Sequence, residues 1–231
     1  MRAILVGGAV LAAMVVAGCA EQGPQAASVT QSAQLRPVRL FNGTDLSGWE
    51  AWFAEPGGQM EEAFRVSDGA IICSGRPIGF LRTQGEYADY LLSFEWRWAP
   101  GGQGGNSGVM IHCSTPRMEG PWPRSLEVQL KAGDAGDFYE MASTYRLVGD
   151  EGRKQGRRGV NLLDDVEKPI GHWNRMEITC RGAEVIVKVN GRTVNHAVDC
   201  SETRGYIAFQ NEGTEIHFRD ITLTPLAGPR P

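Results

Sequence analysis

The residues G-G-N-S-G-V-M-I-H-C at positions 104–113 lead from a glycine-rich start into the run V-M-I-H. This is the pattern of a β-strand, whose successive side chains point to opposite faces. Val109 and Ile111 would share an apolar face, and Asn106, Met110 and His112 would share the other. One face therefore suits a protein core, and the other carries an amide and an imidazole.

A second stretch, S-L-E-V-Q-L at positions 125–130, repeats this arrangement. Leu126 and Val128 lie on one face, and Glu127 and Gln129 lie on the opposite one. The solvated face of a sheet is usually rich in Lys, Thr and Ser. Here the two polar faces carry groups that hydrogen-bond sugars and transfer protons. We therefore expect these faces to line a cleft.

The composition bounds the class of protein. The chain has 231 residues with 30 glycines and only 8% aromatic residues, which suits one all-β domain of sandwich or barrel size. A hydrophobic content of 42% is enough to fill a core at this length. The net charge of −4 and the lack of a basic patch argue against a nucleic-acid partner.

The rest of the domain also has the patterns of short strands. Residues 90–98 alternate strictly, and the dipeptides Asp68-Gly69 and Asn190-Gly191 are typical hairpin turns. No amphipathic helix longer than two turns is indicated after Val16. About a dozen short strands at turn spacing predict an all-β fold of two packed antiparallel sheets.

The N-terminus has the features of a targeting segment. A charged Arg2 and a short apolar run precede Val16-Ala17-Gly18-Cys19, which resembles a bacterial lipobox. We predict a lipoprotein signal peptide at 1–18, a lipidated Cys19, a flexible tether at 19–36 and the folded domain at 37–227. The protein would then lie at the bacterial cell envelope, held to the membrane by its lipid.

Four cysteines follow the lipobox, namely Cys73, Cys113, Cys180 and Cys200. An even number outside the cytoplasm permits disulfides. Cys180 and Cys200 flank a predicted hairpin and are the favoured pair, with buried free thiols as the alternative.

Several other side chains are candidates for the cleft. Glu95 and Arg97 share the polar face of the strand at 90–98, and Gln210 and Glu212 share a face near the C-terminus. Each pair could reach the cleft or lie on an ordinary solvated face. Trp122, which stands between two prolines, could stack on a sugar ring or pack its own loop.

No cofactor is indicated with certainty. Asp134 and Asp137 in A-G-D-A-G-D could help to bind a divalent cation such as calcium, although an ordinary Gly/Asp turn is the favoured interpretation. The sequence shows no zinc-finger, Walker or dinucleotide-binding spacing.

Taken together, several segments resemble the bacterial 3-keto-disaccharide hydrolase family. They run in order from residue 38 to residue 226 and cover nearly the whole domain. The segments are L-F-N-G-T-D-L-S-G-W at 40–49, Y-L-L-S-F-E-W-R at 90–97, G-N-S-G at 105–108, E-V-Q at 127–129, H-W-N at 172–174, V-N-G at 189–191, G-Y-I-A-F-Q at 205–210 and I-H-F-R-D-I at 216–221.

The resemblance implies a concanavalin A-like jelly-roll sandwich with an oxidised glycoside as its substrate. In the implied reaction, a ketone at carbon 3 acidifies the proton on carbon 2. A base removes that proton, the glycosidic oxygen leaves by elimination, and water adds back. Such a reaction needs a base, a group that stabilises enolate charge and an acid for the leaving oxygen.

Glu127 is the first candidate for the base, because burial beside Gln129 would raise its pKa. Alternatively, it holds an arginine such as Arg97 in a buried ion pair. His112 could be a base, an acid or a metal ligand, or a hydrogen-bonded sheet histidine. Asn106 and Gln129 have the donors and acceptors to bind sugar hydroxyls.

Four functions remain open from the sequence: a keto-glycoside-cleaving enzyme, a carbohydrate-binding module, a structural envelope domain and an ordinary glucanase. The clustered polar side chains favour a ligand over a structural role. A glucanase of this fold would show two acidic residues on one strand, whereas S-L-E-V-Q-L has one.

Overall fold

A computed structural model describes residues 36–114 and 119–227 of the chain. Seventeen β-strands, a four-residue α-helix and one 3₁₀ turn occur in these two ranges. The strands are β1 (Val38–Arg39), β2 (Trp49–Phe53), β3 (Phe64–Ser67), β4 (Ala70–Cys73), β5 (Gly79–Thr83), β6 (Tyr90–Trp98), β7 (Gly108–Cys113), β8 (Ser125–Gln129), β9 (Phe138–Met141), β10 (Arg146–Leu147), β11 (Lys154–Gln155), β12 (Arg158–Gly159), β13 (Asn174–Arg181), β14 (Glu184–Val189), β15 (Arg192–Val198), β16 (Tyr206–Asn211) and β17 (Ile216–Pro225). The helix α1 spans Met60–Ala63, and the 3₁₀ turn spans Glu151–Arg153.

The strands form two antiparallel sheets, which confirms the predicted all-β sandwich. The back sheet has the order β10-β15-β14-β13-β6-β17-β4-β3, with β1 paired to β17. The front sheet has the order β11-β12-β9-β8-β7-β16-β5-β2. The strands that carry Glu127 and Gln210 therefore lie in the same sheet, separated by β7.

The core lies between the sheets and is formed by the apolar face of each strand. Phe209 of the front sheet contacts two rings of the back sheet, with centroids 5.3 Å from Phe94 and 4.7 Å from Phe218. Trp96 and Trp98 of β6 are buried in the same core. These aromatic contacts fix the two sheets face to face and leave the outer face of each sheet to other side chains.

Two tight turns have the conformation that their sequences predict. Asn190 and Gly191 have φ values of 48° and 82° between β14 and β15. Asp68 and Gly69 have φ values of 52° and 72° between β3 and β4. Positive φ at both central residues matches the right-handed twist of the flanking strands, and both dipeptides tolerate it.

The face predicted for His112 is wrong, because a β-bulge interrupts the alternation of β7. Met110 lies opposite Ala208 of β16 and Cys113 lies opposite Tyr206, so two residues of β7 face the single residue between them. His112 has a φ of 55°. The extra residue turns His112 towards the core and places Cys113 beside Met110 on the outer face.

The four cysteines of the domain are free and buried, so the disulfide predicted between Cys180 and Cys200 is not formed. Burial raises the pKa of each of these two thiols to about 12. Each therefore stays in the protonated form, which is the less reactive one.

The N-terminal predictions fall on residues that the structure does not describe. The signal peptide at 1–18, Cys19 and the tether up to Leu35 are among them, and the lipid anchor stays a prediction. Within the described ranges, no helix is long and apolar enough to span a bilayer.

Candidate functional site

A pocket of about 220 Å³ opens on the outer face of the front sheet. We call it the Glu127 pocket. It brings together six of the residues predicted from the sequence, although they come from four separate parts of the chain. Its lining is formed by Asn106, Trp122, Glu127, Gln129, Lys131, Tyr139, Met141, Arg157, Gln210 and Glu212.

The strand register explains why these side chains meet. Glu127 of β8 lies opposite Met110 on one side and Tyr139 on the other. The next row along the strands places Gln129 opposite Gly108. Because all of these residues lie on the same side of the pleat, their side chains project from the outer face together.

Gly108 forms a floor under the pocket. A Cβ atom at this position would lie 2.5 Å from Oε1 of Glu127 and 2.8 Å from Oε1 of Gln210. These distances are too short for a carbon–oxygen contact, so the carboxyl and the amide occupy the space that any larger residue would need. Glycine therefore allows Glu127 and Gln210 to approach each other.

Glu127 is a buried carboxyl with a perturbed affinity for its proton. Only 3% of its surface is exposed. Burial, followed by the neighbouring carboxyl of Glu212, raises the pKa of Glu127 to about 8, and Gln210 and Arg157 oppose the shift. With this pKa the carboxyl of Glu127 is largely protonated at neutral pH and has a proton to donate.

Glu212 supplies a second carboxyl at the same pocket. Its Oε2 accepts a hydrogen bond of 2.9 Å from Nδ2 of Asn106, and burial raises its pKa. The sequence indicated that Glu212 shares a face with Gln210. It did not indicate that the segment around Asn106 docks against this residue.

Two amide oxygens at the pocket lack a hydrogen-bond donor within the described residues. They are Oδ1 of Asn106 and Oε1 of Gln210, both of which are shielded from solvent. Leaving a buried acceptor without a donor costs free energy, so these atoms are available to a ligand or to the proton of Glu127. Gln129 differs, because its Oε1 accepts from the backbone nitrogens of Leu130 and Lys131, and its amide nitrogen has no hydrogen-bond partner among the described residues.

Two cations and a phenol complete the pocket. Arg157 is paired with Glu119, and Lys131 lies 2.9 Å from Asp134. Tyr139 is the cross-strand neighbour of Glu127. Local periodicity could not reveal these residues, because their positions depend on which strands pair and on the β11–β12 hairpin.

His112 does not line the Glu127 pocket. Its ring packs edge-on against Tyr90 at 5.4 Å, and its Nδ1 lies 2.9 Å from the backbone oxygen of Glu202. Its Nε2 is buried without a partner among the described residues. Burial lowers the pKa of His112 to about 4, so the ring is neutral and structural.

We expect His112 to weaken the fold in mild acid. The unfolded chain binds this proton near pH 6.5 but the folded protein only near pH 4, so the contribution of His112 to stability is full above pH 6.5 and falls as the pH drops. Between pH 7 and pH 5 the loss is about 2 kcal/mol. Urea unfolding at the two pH values should show that His112→Asn gains this amount of stability relative to wild type from pH 7 to pH 5, a difference in which the contributions of other titrating groups such as Glu127 cancel. The exposed His172→Asn serves as the control and should keep the wild-type dependence. An unchanged dependence in His112→Asn would contradict the assignment.

Glu95 and Arg97 do not lie at the pocket, and this prediction is wrong. Both project from the outer face of the back sheet, since β6 belongs to that sheet. Glu95 accepts a 2.7 Å hydrogen bond from Nε of Arg219, and the guanidinium of Arg97 lies 4.4 Å from the ring centroid of Trp173. The alternative that Glu127 pairs with Arg97 is excluded by the same placement.

The two aspartates proposed to bind a cation are engaged by an arginine. Asp137 lies 2.6 Å and Asp134 lies 2.9 Å from Nη2 of Arg158. Asp137 also accepts from the backbone nitrogen of Asn161 at 2.6 Å. Across the described part of the chain, no three His, Cys, Asp or Glu side chains are grouped to hold a metal ion.

Comparison with known protein families gives one match, which covers most of the domain. The family model of the 3-keto-alpha-glucoside-1,2-lyase-like domain matches residues 36–224. No curated protein matches the chain.

Solved structures show the same fold at low sequence identity. A candidate glycosyl hydrolase from Parabacteroides distasonis is 22% identical with a TM-score of 0.62, over 83% of this chain and 94% of that one. A β-glucanase from Bacillus licheniformis is 12% identical with a TM-score of 0.56, over 85% of this chain and all of that one. A carbohydrate binding module from Bacillus subtilis is 12% identical with a TM-score of 0.54, over 77% of this chain and 95% of that one. These likenesses establish the concanavalin A-like jelly roll.

Proposed function

The chain belongs to the family of 3-keto-alpha-glucoside-1,2-lyase-like domains, and we propose that it cleaves glycosides carrying a ketone at carbon 3 in the Glu127 pocket. The observation that carries this proposal is the pair of carboxyls, Glu127 and Glu212, at one sugar-sized pocket. Both have a raised pKa, and the larger shift belongs to Glu127. A pocket that keeps one carboxyl protonated at neutral pH can supply an acid and a base together.

In the elimination step, the carboxylate of Glu212 removes the proton from carbon 2. The electron pair of that C–H bond forms the double bond between carbons 1 and 2, and the bond from carbon 1 to the glycosidic oxygen breaks. Glu127 gives its proton to the leaving oxygen, so that an alcohol departs. The ketone at carbon 3 makes the first proton acidic enough for a carboxylate to remove.

In the hydration step, the roles of the two carboxyls reverse. Glu127, now ionised, takes a proton from water while the oxygen of that water bonds to carbon 1. Glu212 returns a proton to carbon 2. Both carboxyls regain their starting states, and the product is the free 3-keto sugar.

The polar side chains of the pocket suit the negative charge that develops on the ketone oxygen. The amide nitrogen of Gln129 is free, and Lys131 and Arg157 bring positive charge to the same lining. Preorganised donors of this kind stabilise an enolate more than they stabilise the ground state. Asn106 and Gln210 offer unpartnered oxygens to sugar hydroxyls.

The test compares 3-keto glucosides with their unoxidised parents in D₂O, with products identified by mass spectrometry and NMR. We expect cleavage of the keto forms alone, with deuterium at carbon 2 beyond that of an enzyme-free control. Cleavage of the parents without that deuterium would instead indicate an ordinary glycosidase. Binding of both without cleavage would indicate a carbohydrate-binding module, a function that the B. subtilis neighbour carries.

Replacing Gly108 with Ala should lower kcat/KM for a keto glucoside by about 10²-fold. The added methyl group would displace the carboxyl of Glu127 or the amide of Gln210, and errors of about 1 Å in catalytic groups have effects of this size. Gly85→Ala is a matched control, because Gly85 is exposed and its Cβ would meet only the phenol of Tyr87. Equal rates for the two variants would show that the floor of the pocket is not needed.

A further inference from the structure

A second apolar cluster lies on the outer face of the front sheet, separate from the core between the sheets. We call it the outer apolar cluster. Four buried residues form its base, and three partly exposed aromatic residues cover them. The base is Phe80, Met110, Cys113 and Ala208, and the cover is Trp52, Trp122 and Tyr206.

The outer apolar cluster is continuous with the Glu127 pocket. Met110 is the cross-strand neighbour of Glu127, and Phe80 is the cross-strand neighbour of Gln210. Trp122 belongs to both, since it lines the pocket and its ring centroid lies 6.4 Å from that of Phe80. A ligand centred on Glu127 that extends towards β5 would therefore meet aromatic rings.

Charged and polar groups within the outer apolar cluster are already engaged or shielded. The guanidinium of Arg82 is paired with Glu50 and stacks 3.9 Å from the ring centroid of Tyr206. Nε1 of Trp52 is shielded from solvent. The same guanidinium lies 5.3 Å from the ring centroid of Trp52, so among the described residues Trp122 is the covering ring with no cation over it, and few hydrogen-bonding groups are free.

The opposite side of the pocket has the reverse character. Asn106, Gln129, Lys131 and Glu212 lie there and give this part of the lining amide and charged groups. A sugar ring with its ketone and hydroxyls matches these polar groups. The apolar side would then contact the group that is attached to carbon 1 of the sugar.

From this division we propose that the outer apolar cluster is the leaving-group subsite, and that the substrates are 3-keto glycosides with an aromatic, phenolic aglycone. A second sugar would bring hydroxyls that find few partners on this surface, and unpaired polar groups weaken binding. An aromatic ring instead gains stacking and burial against Trp122. A phenol, with a pKa of about 10, is also a better leaving group than a sugar hydroxyl. The proposal rests on the proposed function for its keto sugar, but the subsite itself can be tested by binding alone.

The experiment measures affinity by calorimetry for three unoxidised glucosides: phenyl, 2-naphthyl and glucosyl. Binding without turnover keeps the result independent of the keto-glycoside reaction. We expect naphthyl to bind tightest and the disaccharide weakest. Trp122→Ala should weaken naphthyl binding by about tenfold while changing disaccharide binding little.

Trp173→Ala is the matched control. Like Trp122, Trp173 is partly exposed, but it lies against the back sheet, where Arg97 and Arg219 stack on its ring. Trp122→Phe keeps a ring and should retain most of the affinity, which covers the case that Trp122→Ala misfolds. Tighter binding of the disaccharide, or equal losses in the Trp122 and Trp173 variants, would overturn the subsite. Tight aryl binding with no cleavage of any keto glycoside would support the subsite and contradict the proposed reaction.

Discussion

Replacing Glu127 with Gln should lower kcat/KM for a 3-keto glycoside by about 10²- to 10⁴-fold, the usual contribution of a general acid or base. Gln has nearly the same shape as Glu and can still hydrogen-bond the amide of Gln210. The variant therefore removes the transferable proton without opening the pocket. Steady-state rates with the keto substrates measure the effect.

The pH dependence of the wild type should identify the role of this carboxyl. Because the pKa of Glu127 is raised to about 8, kcat/KM should fall above that pH as the proton donor is lost. The residual activity of Glu127→Gln should lack this alkaline limb. Glu140→Gln is the control, because the Glu140 carboxylate binds Lys154 outside the pocket, and it should keep the limb. Full activity in Glu127→Gln would show that another residue is the general acid.

The sequence contained enough information to predict the fold and to place Glu127 and Gln129 on one outward face. Alternation along β8 places Leu126 and Val128 inside, and the same alternation sends Glu127 and Gln129 outwards. Hairpin turns at Asp68-Gly69 and Asn190-Gly191 have one favoured geometry in this setting. These are local properties, and local properties can be read from a sequence.

Two predictions failed where a non-local feature decides the outcome. His112 has the correct parity for the cleft, but one extra residue in β7 relative to β16 reverses its direction. Glu95 and Arg97 share a polar face as predicted, but periodicity does not say which of two sheets a strand joins. The polar side of β6 therefore faces away from the Glu127 pocket.

Other pocket residues were missed because pairing between distant segments places them. Tyr139 lies beside Glu127 because of the register between β8 and β9. Arg157 lies at the pocket because it belongs to the turn between the paired strands β11 and β12. Glu212 was predicted to share a face with Gln210, but the hydrogen bond that its carboxylate accepts from Asn106 was not predicted. Each of these contacts joins segments whose sequences carry no shared local signal.

The second large effect concerns stability, and here Glu127→Gln should be the more stable protein. The folded protein holds the Glu127 proton up to a pH of about 8, whereas an unfolded chain releases it near the ordinary value of 4.5. The contribution of Glu127 to wild-type stability should therefore fall as the pH rises from 4.5 towards 8, by about 3.5 kcal/mol between pH 5 and pH 8, and level off above that range, so that Glu127→Gln gains this amount relative to wild type. Glu127→Gln has no such proton. Its free energy of unfolding, measured in urea at pH 5, 7 and 9, should lack this loss.

The same measurement separates the catalytic interpretation from a structural one. Suppose that Glu127 were ionised in the folded state and formed a buried ion pair with Arg157. Removing the charge of Glu127 would then leave Arg157 without its partner and destabilise the protein, most strongly at high pH. If it is a neutral acid kept in a dry pocket, removing its charge relieves a desolvation cost, and the variant gains stability while it loses activity. Glu140→Gln should show neither behaviour beyond the loss of its ion pair with Lys154. A gain in stability together with a loss of turnover at the same residue is expected of a group that is retained for chemistry at the expense of the fold.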